Sequence, residues 1–123
     1  MTKPERFLVI RSWERSYSPA LSVKKGEQVE TGVRDEAWPG WIWCRNDSGL
    51  GGWLPEELLS SNEGGGKAEG GGIAKTLEAF DTGELTVLAG QTVEGNKHRN
   101  GWDWCRNDSG QEGWVPSDCL KLA

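Results

Sequence analysis

The pattern W-x-W-C-R-N-D-S-G-x-x-G-W-x-P occurs twice, from Trp41 to Pro55 and from Trp102 to Pro116. With Gly40 and Gly101 included, 12 of 16 aligned positions are identical. A repeat this long means that one fold unit was duplicated. The chain has 123 residues, so each unit has roughly 50–60, a size at which a domain buries only about 60% of its unfolded surface. The cores must be small.

The repeats also align upstream. Val9 to Glu30 lies against Ile73 to Glu94 without a gap, 64 positions apart, whereas the Trp blocks are 61 apart. The first copy therefore carries three extra residues before Gly40, in the loop of Asp35, Glu36, Trp38 and Pro39. Leu21-x-Val23 and Leu85-x-Val87 alternate as half-buried strands do. Gly26 and Gly90 follow as turn residues. Trp41 to Arg45 reads as a strand, Asn46-Asp47-Ser48-Gly49 as a hairpin whose Asp and Ser satisfy backbone groups, and Gly52 to Leu54 as the returning strand. Pro55 ends it, because proline has no N–H for the ladder. Pro55 to Leu58 reads as one helical turn. No stretch holds a 3.6-residue period, so each unit is all-β, with about five short strands closing on themselves. Between the repeats, Gly64 to Gly66 and Gly70 to Gly72 have no apolar anchor near them. That composition predicts a flexible linker over 60–72, joining barrels at 7–59 and 73–122.

A net charge of −5 argues against a nucleic-acid partner, which calls for a basic patch. The three cysteines have no C-x-x-C spacing, so no metal site or redox dithiol is expected. Cys44 and Cys105 share a repeat position and read as small buried hydrophobes, and the odd count suits a reducing compartment. Met1 to Phe7 has no apolar signal segment, and Phe7 to Ile10 is too short to span a membrane. The expectation is a cytoplasmic protein with no membrane partner.

These residues resemble the Src homology 3 family in its bacterial variant form. Leu21 to Glu27 sits on E-L-S-F-x-x-G-D, as does Glu84 to Val87. Trp41 to Arg45 sits on W-W-x-A-R, Gly52 to Pro55 and Gly113 to Pro116 on G-x-x-P, and Pro116 to Leu120 on P-S-N-Y-V. The resemblance implies two small five-stranded barrels in tandem, each binding an extended, proline-rich peptide in an aromatic groove. Carried over position by position, the first groove holds Trp13, Trp41, Trp53, Pro55 and Leu58, with Trp38 adding aromatic surface. The second holds Leu77, Trp102, Trp114, Pro116 and Cys119. Carboxylates for a ligand Arg or Lys come from Glu78, Asp81 and Glu84 in the second copy. In the first there is Glu14, with Ala20 where an acid is usual. Arg11 and Lys75 replace the first Tyr of A-L-Y-D-Y, and Leu58 and Cys119 replace the Tyr of P-S-N-Y-V. Ligands other than P-x-x-P are therefore open. Trp53 and Trp114 can serve as groove walls or as structural packing.

The expected partner is a protein or peptide, basic or proline-rich, bound without a cofactor. The alternative is a structural or self-associating pair of barrels, with repeat–repeat docking or a homodimer and no peptide ligand. Catalysis is not expected: His98 is the one histidine and reads as solvated in a polar loop, and no nucleophile–base–orienter set is visible.

Overall fold

The computed structural model describes residues 4–60 and 72–123. Among them the regular structure is strand and two short 3₁₀ turns. In chain order the strands are β1 (Glu5–Val9), β2 (Ser22–Val23), β3 (Gln28–Arg34), β4 (Trp41–Arg45), β5 (Gly51–Pro55), β6 (Gly72–Lys75), β7 (Phe80–Asp81), β8 (Thr92–Arg99), β9 (Trp102–Arg106), β10 (Glu112–Pro116) and β11 (Leu120–Leu122). The 3₁₀ turns, Glu56–Leu58 and Ser117–Cys119, follow the two prolines.

Strand alternation sorts the Trp block. Ile42 and Cys44 point into a core, while Trp41, Trp43 and Arg45 face the other way. The hairpins close as expected, with Gly49 at φ 88° and Gly110 at φ 86°, backbone that glycine adopts without strain. The groups that satisfy them are not Asp and Ser. Asn46 Oδ1 accepts from the N–H groups of Ser48 and Leu50, and Asn107 Oδ1 from those of Ser109 and Gln111.

The chain divides into two compact units, Met1–Ser18 with Gly83–Ala123, and Pro19–Thr82. These are not the expected 7–59 and 73–122. Strand β1 pairs with β8 and β11, both from the second repeat. Strand β6 pairs with β3 of the first repeat. Each unit thus takes its first strand from the other repeat. The repeats offer equivalent ladder backbone at β3 and β8, so periodicity did not distinguish the two pairings.

Unit 19–82 contains a sheet in the order β5-β4-β3-β6 and a ribbon of β2 with β7. Its core is Leu21, Val23, Val29, Ile42, Cys44 and Leu54, with Phe80 and Leu59 packed against it. The expected linker is shorter than 60–72. Gly72 already belongs to β6, and Ser60 is tied to Lys75 through its N–H and its hydroxyl. The rest of the linker, 61–71, lies outside the described residues.

The other unit is a sheet in the order β10-β9-β8-β1-β11. Its core is Val9, Leu85, Val87, Val93, Cys105, Val115 and Cys119, with Phe7, Trp13 and Leu120 against it.

Matching hydrogen bonds correct the repeat alignment. Val9 N–H donates to Gln91 O and Val9 O accepts from Gly90 N–H, while Thr76 N–H donates to Glu27 O and Thr76 O accepts from Gly26 N–H. Val9 therefore corresponds to Thr76, not to Ile73, and Trp13 corresponds to Phe80, not to Leu77. Ile73 and Leu77 are exposed, at 46% and 49%. Thr76 is buried because its hydroxyl donates to Lys24 O and accepts from Glu27 N–H.

Candidate functional site

In the unit containing residues 83–123, Trp13 meets Trp102 edge-on, with ring centroids 5.4 Å apart and planes at 85°. Trp102 lies opposite Pro116 in the ladder, and Pro116 and Cys119 are buried. Position Glu84 is fixed by a parallel bridge to Trp114. That approach needs Gly113, since a Cβ there would come within 2.6 Å of the Glu84 and Leu85 backbone. Glu84 is buried, and its Oε1 accepts from Trp13 Nε1 at 3.2 Å, from Ser16 N–H at 2.8 Å and from Ser16 Oγ at 2.8 Å. The carboxylate expected to hold a ligand cation is held by the protein itself.

In unit 19–82 the counterpart pair is Trp41 and Phe80, 6.1 Å apart and tilted at 56°. Trp41 lies opposite Pro55, and Leu58 is buried beneath the 3₁₀ turn. Trp38 is half-buried in a loop tied by Asp35, whose Oδ1 accepts from the N–H groups of Ala37 and Trp38.

The expected grouping is therefore rearranged. Trp13 shares a unit with Trp102, Pro116 and Cys119, and Phe80 takes the corresponding place beside Trp41, Pro55 and Leu58. Leu77 is on neither core and stands exposed. Phe80 was missed because the frame of that strand was read three residues early. Trp41 and Trp102 are only 4% and 7% exposed, where an open groove wall would show more of the ring.

Trp53 and Trp114 pack against their cross-strand neighbours. Trp53 meets Trp43 at 5.2 Å and 76°, and Trp114 meets Trp104 at 5.3 Å and 71°. The Trp43 ring lies over Gly51, where any Cβ would collide with it. Such pairs brace the β4–β5 and β9–β10 hairpins, each worth roughly 0.5–1.5 kcal/mol beyond its burial.

A second polar cluster was not legible in the sequence. His98 lies on β8 rather than in a loop, with Nδ1 3.1 Å from Asp103 Oδ1. Ser117 Oγ donates to Asp103 Oδ2 at 2.7 Å and lies 3.4 Å from the same His98 Nδ1. Nucleophilic catalysis needs the imidazole between hydroxyl and carboxylate, using one nitrogen for each. Here the carboxylate bridges the other two, so the cluster orders the start of the 3₁₀ turn.

Cys44 and Cys105 are free and fully buried. Burial first, and then the carboxylate of Glu56 or Asp103, pushes each thiol up to about 12. Burial also raises Cys119. Thiols held protonated are poor nucleophiles and metal ligands. Among the described residues no three His, Cys, Asp and Glu side chains converge on a metal position. No helix among them is long and apolar enough to cross a membrane.

The model of the variant SH3 domain matches residues 6–61 and 74–123. The chain belongs to the variant SH3 family. Its two matches follow the sequence repeats, while the compact units interchange the first strands of those repeats. This tandem SH3 chain is also similar to the SH3 and PX domain-containing protein 2B of Homo sapiens and of Mus musculus. Each is 26% identical over 126 residues, covering 95% of this chain. The chain spans 13% of the length of those relatives. SH3 domains are protein-interaction modules, and this chain carries two of them.

Proposed function

We propose that this tandem SH3 protein binds extended peptide segments of a partner protein, without catalysis or cofactor. The observation that carries the reading is the pairing of two aromatic rings beside a buried proline, present in both units: Trp13, Trp102 and Pro116 in one, Phe80, Trp41 and Pro55 in the other. Flat rings spaced in this way suit the ridges of a polyproline II ligand, which loses little entropy on binding. With Glu84 held by Trp13 and Ser16, attraction for a basic ligand side chain falls to exposed carboxylates such as Glu78, two residues before Phe80. Two sites on one chain raise the effective concentration for a partner with two segments, which is the logic of an adaptor. Three buried thiols suit a reducing, cytoplasmic setting.

The second reading is a structural or self-associating pair, and the low exposure of Trp41 and Trp102 favours it. The test is an NMR titration of the Trp indole N–H signals with proline-rich and basic peptides. Shifts at Trp13 and Trp102, or at Trp41, support peptide binding. No shift at millimolar peptide, together with a dimer in sedimentation, moves the assignment to self-association.

A further inference from the structure

We propose that the first strand of each repeat is matched by side-chain size and hydrogen bonding to the opposite repeat. The surface formed by β8 and residues 84–87 is a docking site for one particular extended segment, residues 5–16. Its discriminating residues are Phe7, Trp13 and Ser16 on the segment and Gly95 and Glu84 on the site.

The first match is one of size. Phe7 pairs with Val93, and its ring lies over Gly95, where a Cβ would come within 2.7 Å of Cε2. The equivalent of Gly95 in the first repeat is Thr31, because each pairs with the cysteine of its Trp block. The equivalent of Phe7 is Ala74, which pairs with Val29 as Phe7 does with Val93. The observed combinations are thus ring with glycine and methyl with threonine. If each first strand returned to its own repeat, Phe7 would meet Thr31 and overpack, and Ala74 would leave space over Gly95. Close-packed interiors penalise both errors.

The second match is polar and independent of the first. Buried Glu84 takes donors from Trp13 and Ser16. Their equivalents in the other first-strand segment are Phe80 and Gly83, whose side chains have no N–H or O–H to give. The equivalent of Glu84 is Ala20, which accepts nothing from Trp13. Returning the strands would take both side-chain donors from the buried carboxylate and this acceptor from the indole N–H at the same time.

The experiment is disulfide trapping in the full chain. Arg6 pairs with Glu94 in the observed ladder, and the equivalent of Glu94 is Glu30. The native thiols are buried and do not compete. Arg6→Cys with Glu94→Cys should cross-link on mild oxidation, and Arg6→Cys with Glu30→Cys should not. A 6–94 link supports the match whether it closes within one chain or joins a second copy, because the same surface is recognised. A dominant 6–30 link overturns it. Phe7→Ala combined with Ala74→Phe exchanges the two sizes and should move trapping toward 6–30. Unchanged 6–94 trapping in that variant, folded by circular dichroism, would also overturn the size match. Should it not fold, a thermal cycle decides. Gly95→Thr should lower the melting temperature by roughly 10 °C, and adding Phe7→Ala should restore part of the loss. Simple addition of the two losses counts against the proposal.

Discussion

The two units share a Trp block almost residue for residue, yet they hold their aromatic pair differently. In one, Trp13 stands beside Trp102 and is anchored by its N–H to buried Glu84, which Ser16 also grips. In the other, Phe80 stands beside Trp41 with Ala20 at the carboxylate position, so the lock through Glu84 has no counterpart there. A polar lock fixes orientation and is costly to break, whereas an apolar contact tolerates adjustment. The difference between the units lies not in the duplicated block but in the short segments that dock against it.

Substitutions can break that comparison. The largest effect is expected from Trp102→Ala and Trp41→Ala, each costing about 3–5 kcal/mol in chemical denaturation because the rings are buried. A cost under about 1 kcal/mol would show that these rings contribute little to the fold. Next, Gly113→Ala should cost about 3 kcal/mol and Gly52→Ala less. The added methyl at 113 meets the Glu84–Leu85 backbone, while at 52 it meets the Thr82 side chain. Equal losses would show that the close approach at Gly113 is not special.

Glu84→Ala should cost about 1–3 kcal/mol by stranding the Trp13 and Ser16 donors, whereas Ala20→Glu, with a phenylalanine and a glycine at the equivalent donor positions, should gain nothing. Stability curves for the two variants check this directly. The smallest difference is expected from the thiols. Cys44 and Cys105 remain protonated in the folded chain to about 12, against 9.0 when unfolded. Above pH 9 the unfolded chain loses these protons first, so stability is fully present below that pH and falls between 9 and about 12. Cys44→Ser and Cys105→Ser should each remove a similar part of that slope. Unequal effects would mean the cores are less alike than their cysteines suggest.

Much of the fold was legible. Alternation around Val23 and Cys44, the N-D-S-G turns and the ladder-ending prolines gave strands and hairpins where the structure has them. What the chain did not reveal is which first strand docks where. Strands β3 and β8 present equivalent hydrogen-bonding backbone, and the residues that discriminate, Phe7, Gly95 and Thr31, carry no motif. Polar Thr76 hid the true frame of its strand, because a threonine buries well once its hydroxyl is paired, while apolar Ile73 and Leu77 drew the alignment three residues early. At the candidate site, the motifs placed Trp41 beside Pro55 and Trp102 beside Pro116, as the ladders have them. The internal hold on Glu84 was not legible, since the loop geometry that brings Ser16 onto its carboxylate has no local sequence signal.

The most direct test of the account is the set of cross-strand nuclear Overhauser contacts in the uniformly labelled chain. Exchange of the first strands predicts backbone contacts between Phe7 and Val93 and between Ala74 and Val29. Contacts between Phe7 and Val29, with Ala74 against Val93, would contradict it and return each first strand to its own repeat.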